Sequence, residues 1–133
     1  MNGLHLIADL HDCRCAPDLL LNAAGLEIFC VDACKRHGLT VVGQLFHAFT
    51  DIDGNAAGVT GAVVLAESHL AVHTWPEINS VTLDIYVCNF SADNSHRAHA
   101  LFAEVISAFS PARLEKKAVE RGRLSGVEPV TGL

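Results

Sequence analysis

Three side chains with catalytic potential lie close together in the centre of the sequence: Ser68, His73 and Cys88. Serine and cysteine act as nucleophiles once a neighbouring base, most often histidine, accepts their proton. A serine or cysteine hydrolase is one interpretation, but the chain has no Gly-x-Ser-x-Gly motif that would place the serine on a strand-to-helix turn. In the other interpretation, Ser68 merely ends a strand and Cys88 is a buried thiol. The residues by themselves do not decide between the two.

The remaining cysteines and histidines do not predict a metal site. Zinc sites usually combine paired clusters of ligands, whereas the Cys13-x-Cys15 pair stands alone. The Cys30-x-x-x-Cys34 pair lies on the apolar stripe of a predicted helix, where cysteine acts as a small hydrophobic residue. His69 and His73 share one face of a strand but are separated by about 13 Å along it, too far to bind one ion. We therefore expect no metal.

Alternation of apolar and polar residues predicts the strands that position these side chains. In the segment Val81–Cys88, Val and Leu or Ile residues alternate with Asp84, Tyr86 and Cys88, so one face is apolar and the other is free for chemistry. Strands are predicted at Leu4–Leu10, Thr40–Thr50, Val59–Leu65, His69–Trp75, Val81–Cys88 and Ala112–Arg123, and helices at Pro17–His37 and between Asp93 and Pro111.

This order of elements, β-α-β-β-β-β-α-β, predicts a two-layer α/β sandwich in which two helices cover one face of a mostly antiparallel sheet. The other face is left for a partner subunit or a site. The tail after Gly126 is expected to be unstructured.

Composition restricts the class of protein further. A length of 133 residues with 50% hydrophobic and 18% charged residues predicts one globular domain. The net charge of −6 and the absence of a basic cluster larger than Lys116-Lys117 argue against nucleic acid as a partner. No apolar run approaches the ~18 residues of a membrane span. Five cysteines without framework spacing, and a start unlike a signal peptide, favour a cytoplasmic location. Sparse charge also predicts a surface buried in an oligomer.

Three motifs resemble those of the prokaryotic S-adenosylmethionine decarboxylases, a pyruvoyl-dependent enzyme family. They are Glu67-Ser68-His69, the run His73-Thr74-Trp75-Pro76-Glu77, and Asp84-Ile85-Tyr86-Val87-Cys88. The resemblance extends from Leu4 to about Arg123, which is most of the chain. It implies the S-adenosylmethionine decarboxylase fold and a single domain, 1–133, that cleaves itself into a β chain of residues 1–67 and an α chain of residues 68–133.

The resemblance also implies catalytic roles. Ser68 would attack the carbonyl of Glu67, and after cleavage between these two residues Ser68 would become the pyruvoyl group that forms a Schiff base with the substrate amine. His73 would be the base for processing, expected on the adjacent strand. Cys88 would return a proton to the substrate carbon, a role that suits a thiol because it titrates near neutral pH.

Binding residues follow from the same resemblance. Phe49 and Trp75 would stack on adenine, and Glu77 would bind the ribose hydroxyl groups. Thr60 stands where the family's Gly-Val-Ser-Gly motif has serine, and it would support processing. Family sites lie at a homodimer interface, so we expect a homodimer of αβ protomers, with larger assemblies left open.

The expected activity is conversion of S-adenosylmethionine to the decarboxylated aminopropyl donor for spermidine synthesis. Two departures from the family pattern leave alternatives. The loop after Phe49 is longer and contains Asp51 and Asp53, and Ile78-Asn79 follows the Trp-Pro-Glu motif. Acidic residues near a pocket suit a basic amino acid, so a pyruvoyl-dependent ornithine or arginine decarboxylase is one alternative. A non-catalytic paralogue that acts as a binding or interface subunit is the other.

Overall fold

One antiparallel sheet organises the computed structural model, which describes residues 2–90 and 92–124. Within these residues the sheet has six strands: β1 (Gly3–Cys13), β2 (Val41–Thr50), β3 (Ala56–Leu65), β4 (Ser68–Trp75), β5 (Ser80–Cys88) and β6 (Pro111–Arg121). They lie in the order β2-β3-β4-β5-β1-β6, and every neighbouring pair is antiparallel. The predicted fold class, a two-layer α/β sandwich built on an antiparallel sheet, is confirmed.

The predicted first helix, Pro17–His37, is wrong in one respect because it is broken at Asn22. The structure has a short helix α1 (Pro17–Leu21) followed by α2 (Ala23–Arg36). Asn22 lies outside the helical region, at φ −98° and ψ 101°, and its side chain accepts a hydrogen bond from the backbone N–H of Gly25. Asparagine is a favoured N-cap residue because its side chain satisfies an N–H that has no partner within the helix. The second predicted helix is α3 (Ser95–Phe109), which becomes the third in the chain.

All three helices pack on the same face of the sheet and form one core with it. The sheet contributes alternate residues such as Leu6, Leu70 and Ile85, and α3 contributes Leu101 and Phe109. The opposite face, which we call the open face, carries exposed apolar side chains on five of the six strands: Ile7, Leu45, Phe49, Val64, Trp75 and Val119. Such a surface is unusual for a monomer unless it is functional.

The tail after Gly126, predicted to be unstructured, lies outside the described residues. Among the helices that the structure describes, none combines the length and the apolar character needed to span a membrane.

Candidate active site

The predicted cleavage position lies in a tight turn between two strands. β3 ends at Leu65 and β4 begins at Ser68, so only Ala66 and Glu67 connect them. Two-residue hairpins favour turns with positive φ at the first or at both connecting residues, because these match the twist of the strands. Here only the second, Glu67, has positive φ, at 63°. A left-handed backbone costs a residue with a side chain roughly 1–2 kcal/mol, so the peptide bond between Glu67 and Ser68 follows a strained residue.

Ser68 and Cys88 lie together at this end of the sheet. β4 and β5 are paired, and the Oγ of Ser68 lies 3.4 Å from the backbone N–H of Cys88, which donates to it. Both residues are nearly excluded from solvent, with 8% and 5% of their surface exposed. The predicted nucleophile, Ser68, and the predicted proton donor, Cys88, are therefore neighbours in an environment with little access for water.

A second group of predicted residues surrounds a cavity of about 300 Å³ on the open face. The cavity is lined by Phe49, Thr60, His73, Trp75 and Glu77, together with parts of β3 and β4. Phe49 and Trp75 leave about half of their surface exposed, at 48% and 46%, so their rings are available to a ligand. All three predicted substrate-binding residues thus line one cavity with the predicted processing base.

Local contacts fix the shape of this cavity. Gly58 lies opposite Phe49 and has φ +133°, and a Cβ there would come within 2.8 Å of the carbonyl oxygen of Thr74. A side chain at position 58 would therefore force apart the strands that form the cavity. The buried hydroxyl of Thr74 accepts from the N–H of Val59 and donates to the carbonyl of Leu20, which anchors β4 to β3 and to α1.

Thr60 holds the imidazole of His73. The two residues are paired across β3 and β4, and Thr60 Oγ1 lies 2.6 Å from His73 Nδ1. Because the hydroxyl can donate or accept, it allows either neutral tautomer of the imidazole. The ring is thereby oriented into the cavity.

The structure does not bring His73 to Ser68 within one chain. Both residues belong to β4, so the expectation that His73 lies on the adjacent strand is wrong. They are five positions apart, which corresponds to about 16 Å along a strand. Their side chains also point to opposite faces, because an odd number of steps reverses the face. Ser68 and Cys88 form one half of the predicted site, and the cavity around His73 forms the other.

Sequence reasoning missed a cluster of two histidines around a carboxylate on the open face. His5 Nε2 and His69 Nε2 lie 2.9 Å and 3.1 Å from the same oxygen of Asp84. The three residues come from β1, β4 and β5, and only the pairing of these strands places them side by side. The alternation in β5 did indicate the face of Asp84, but no sequence signal indicated its partners.

Among the described residues this cluster has the spacing of a possible metal site, with its ligand atoms within 4.8 Å of one another. However, Nη1 of Arg121 lies 3.4 Å from His5 Nδ1. A guanidinium can only donate, so Nδ1 accepts and the proton of a neutral His5 is on Nε2, directed at Asp84. A metal ion would need the lone pair of that nitrogen, and Arg121 adds positive charge. We therefore describe the cluster as a hydrogen-bonded unit.

Cys30 and Cys34 of α2, and Cys13 at the end of β1, are buried. Burial raises the pKa of the Cys30 and Cys34 thiols to about 12 each. Burial, with the nearby Cys15 and Asp12, raises the pKa of Cys13 to about 11. Thiols of this kind are unreactive at neutral pH, in agreement with their interpretation as small hydrophobic residues.

Comparison with known proteins agrees with this geometry. The family model for S-adenosylmethionine decarboxylase matches residues 4–122. A protein of Hydrogenobaculum sp. (strain Y04AAS1), named S-adenosylmethionine decarboxylase proenzyme, is 33% identical over 120 residues, which are 90% of this chain and 81% of that protein. A protein of the same name from Aeropyrum pernix is 36% identical over 121 residues, 90% of this chain and 83% of that protein.

The crystal structure of the adenosylmethionine decarboxylase from Aquifex aeolicus VF5 superimposes with a TM-score of 0.78. Sequence identity is 28%, and the match covers 95% of each chain. The fold, the motifs and the extent of these matches lead to one conclusion: this chain belongs to the S-adenosylmethionine decarboxylase family.

Proposed function

We propose that this chain is a self-processing, pyruvoyl-dependent enzyme that decarboxylates S-adenosylmethionine. The observation that carries the proposal is the cavity on the open face, where two exposed aromatic rings, Phe49 and Trp75, accompany the carboxylate of Glu77. Aromatic faces suit both a purine and a sulfonium cation, and a carboxylate suits the two hydroxyl groups of ribose. The product would be the aminopropyl donor used in spermidine synthesis.

Neither alternative is supported. The relatives described above are named S-adenosylmethionine decarboxylase proenzymes. Asp51, which would have suited a basic substrate, accepts hydrogen bonds from the backbone N–H groups of Asp53 and Asn55 and so stabilises its own loop. A non-catalytic paralogue would not need both the strained Glu67-Ser68 turn and a neighbouring Cys88.

Processing would begin at the strained turn. Attack of Ser68 Oγ on the carbonyl of Glu67 converts the amide to an ester, and removal of the Ser68 α-proton then eliminates Glu67 as a carboxylate. Hydrolysis of the resulting dehydroalanine releases ammonia and leaves a pyruvoyl group at position 68. The left-handed backbone of Glu67 favours the first step, because the strain is relieved once the peptide bond is broken.

A pyruvoyl group at position 68 would supply an electron sink for the electron pair that remains on the substrate when carbon dioxide leaves. The side chains of the protein would bind the substrate, deliver the proton and exclude water. Phe49, Trp75 and Glu77 hold the nucleoside, and the thiol of Cys88 delivers a proton to the substrate carbon. The low exposure of Cys88 keeps competing water away from that carbon.

A complete site needs a second copy of the chain. Ser68 lies about 16 Å from His73 along β4, although the proposed processing requires the two residues within hydrogen-bond reach, about 3 Å. In a two-fold dimer through the open face, the Ser68 end of each protomer would meet the His73 cavity of its partner, which gives two equal sites. The exposed apolar residues of the open face, such as Leu45 and Val64, support burial of this face.

The five thiols that the structure describes are all free, which supports the cytoplasm as the location.

Two measurements test the proposal. The intact mass of the purified protein should correspond to two chains that meet between Glu67 and Ser68, whereas Ser68→Ala should stay a single chain. Release of carbon dioxide from carboxyl-labelled S-adenosylmethionine, ornithine and arginine should then occur with the first substrate only. An unbroken wild-type chain would refute the processing step, and turnover of a basic amino acid alone would refute the substrate.

A further inference from the structure

Tyr86 lies beside the proposed proton donor. It precedes Cys88 by two residues on β5, so both side chains project from the same face. Cys88 is paired with Gly3 of β1, and a Cβ on Gly3 would lie 2.8 Å from Cε1 of Tyr86 and 2.9 Å from its hydroxyl. The ring and the hydroxyl of Tyr86 therefore lie over Gly3, the residue that is paired with Cys88.

Three neighbours hold the ring in this position. The guanidinium carbon of Arg121 lies 4.5 Å from the ring centroid, in a cation–π contact. His5 and His69 contact the ring with centroid distances of 5.9 Å and 5.7 Å. Both imidazoles are fixed in turn by Asp84. The missed histidine cluster thus has a structural purpose, because it limits the positions that the Tyr86 hydroxyl can adopt.

The surroundings keep this hydroxyl protonated. Burial raises the pKa of Tyr86, and the nearby Cys88 acts in the same direction, while Arg121 acts against them. The charged and titratable groups that contact the ring come from three strands: His5 of β1, His69 of β4 and Arg121 of β6. Asp84 of β5 binds the two imidazoles behind it. At neutral pH the group presented to Cys88 is therefore a hydrogen-bond donor.

We propose that Tyr86 is a positioning residue for Cys88 that directs the thiol at the substrate carbon and stabilises the thiolate left after proton transfer. In that transfer the S–H bond breaks, a C–H bond forms on the substrate, and the sulfur retains the electron pair. The O–H of Tyr86 then donates to the thiolate until a proton from water restores the thiol. The inference rests on the proposed function, since it assumes that Cys88 is the donor.

Tyr86→Phe tests this directly, because the substitution removes the hydroxyl and keeps the ring that contacts Arg121. A hydrogen bond to a charged group is strong, so we expect kcat for decarboxylation to fall about tenfold or more while KM changes little. More enzyme should also be inactivated per turnover, with an alanine in place of the pyruvoyl group. A Cys88 thiol that is not directed at the substrate carbon allows protonation of the pyruvoyl carbon instead. Ile28→Ala, which changes an exposed apolar residue of α2 on the helical side of the sheet, should leave kcat unchanged.

Two further measurements separate positioning from mere packing. In a Cys88→Ala background, Tyr86→Phe should cause no additional loss, because a residue that acts through Cys88 has nothing left to act on. Independent full losses in the double variant would overturn the proposal.

The second measurement does not need turnover. Alkylation of Cys88 by iodoacetamide at pH 8, followed by peptide mapping, should be about tenfold slower in Tyr86→Phe, since the thiolate loses its donor. An equal or faster rate would overturn the contact between Tyr86 and Cys88. This result can be obtained even if wild-type protein fails to decarboxylate anything, which would instead refute the proposed function.

Discussion

The separation of Ser68 from His73 predicts that neither residue works with the other in its own chain. They are about 16 Å apart on one strand and on opposite faces, whereas proton transfer needs contact within about 3 Å. Ser68→Ala and His73→Ala should each remain uncleaved and inactive as homodimers. Each variant nevertheless retains the half of the site that the other lacks.

Co-expression of the two variants with different affinity tags, and purification through both tags, gives the heterodimer. One of its two sites then combines an intact Ser68 with an intact His73 of the partner. We expect the His73→Ala chain to be cleaved in this heterodimer, and decarboxylation at about half of the wild-type rate per dimer.

A matched control places both substitutions in one chain. When a Ser68→Ala/His73→Ala chain is paired with a wild-type chain, the dimer contains the same two changes but has no complete site across the interface. It should be uncleaved and inactive, although one of its chains is wild type. Cleavage of that wild-type chain, together with failure of the first heterodimer to react, would show that the site lies within one protomer and would refute the reasoning.

Three further predictions concern single positions. Trp75→Ala should raise KM for S-adenosylmethionine by about one or two orders of magnitude, since base–aromatic stacking contributes roughly 1–3 kcal/mol; an unchanged KM in processed protein would remove Trp75 from the binding site. Thr60→Val should slow cleavage about tenfold by removing the hydrogen bond to His73, whereas Thr60→Ser should process normally, as a time course of chain splitting would show. Hydrogen bonding from Arg36 lowers the pKa of Glu104, so its stabilising effect is present above the unfolded pKa of about 4.3 and disappears as the pH falls through the folded value. Urea unfolding of Glu104→Gln should therefore show a loss of at most about 1 kcal/mol at pH 7 and no difference at about pH 3; a loss that persists in acid would contradict the ion pair.

Alternation in the sequence was sufficient to predict the two strands at His69–Trp75 and Val81–Cys88 and the faces of their side chains. In β5 the apolar residues Val81 to Val87 do form the core face, and Asp84 lies on the other. The break in the first helix was not predicted, because the apolar stripe continues across Asn22 and only the side-chain cap on Gly25 reveals that a new helix begins there. Periodicity reports which way a side chain points, but a single polar residue within a stripe can be a cap or an exposed helical position.

The candidate site was predictable in its residues and not in its arrangement. Motif resemblance named Phe49, Trp75 and Glu77, which do line one cavity. It could not show that His5 and Asp84, 79 positions apart, share a hydrogen bond, because this depends on β1 lying beside β5 and on the register between them. Strand order arises from packing of the whole chain, and local patterns carry no information about it.

The strand order also determines what the proposed cleavage can do to the molecule. Residues 1–67 supply β1, β2 and β3, and residues 68–133 supply β4, β5 and β6, yet β1 lies between β5 and β6. Of the five ladders in the described sheet, three (β3–β4, β5–β1 and β1–β6) join the two pieces. Neither piece has a continuous sheet of its own, so the two products are interleaved and cannot separate without unfolding. Cleavage would therefore leave the two chains assembled in one sheet, and the two fragments would have to fold together as one polypeptide before the peptide bond is broken.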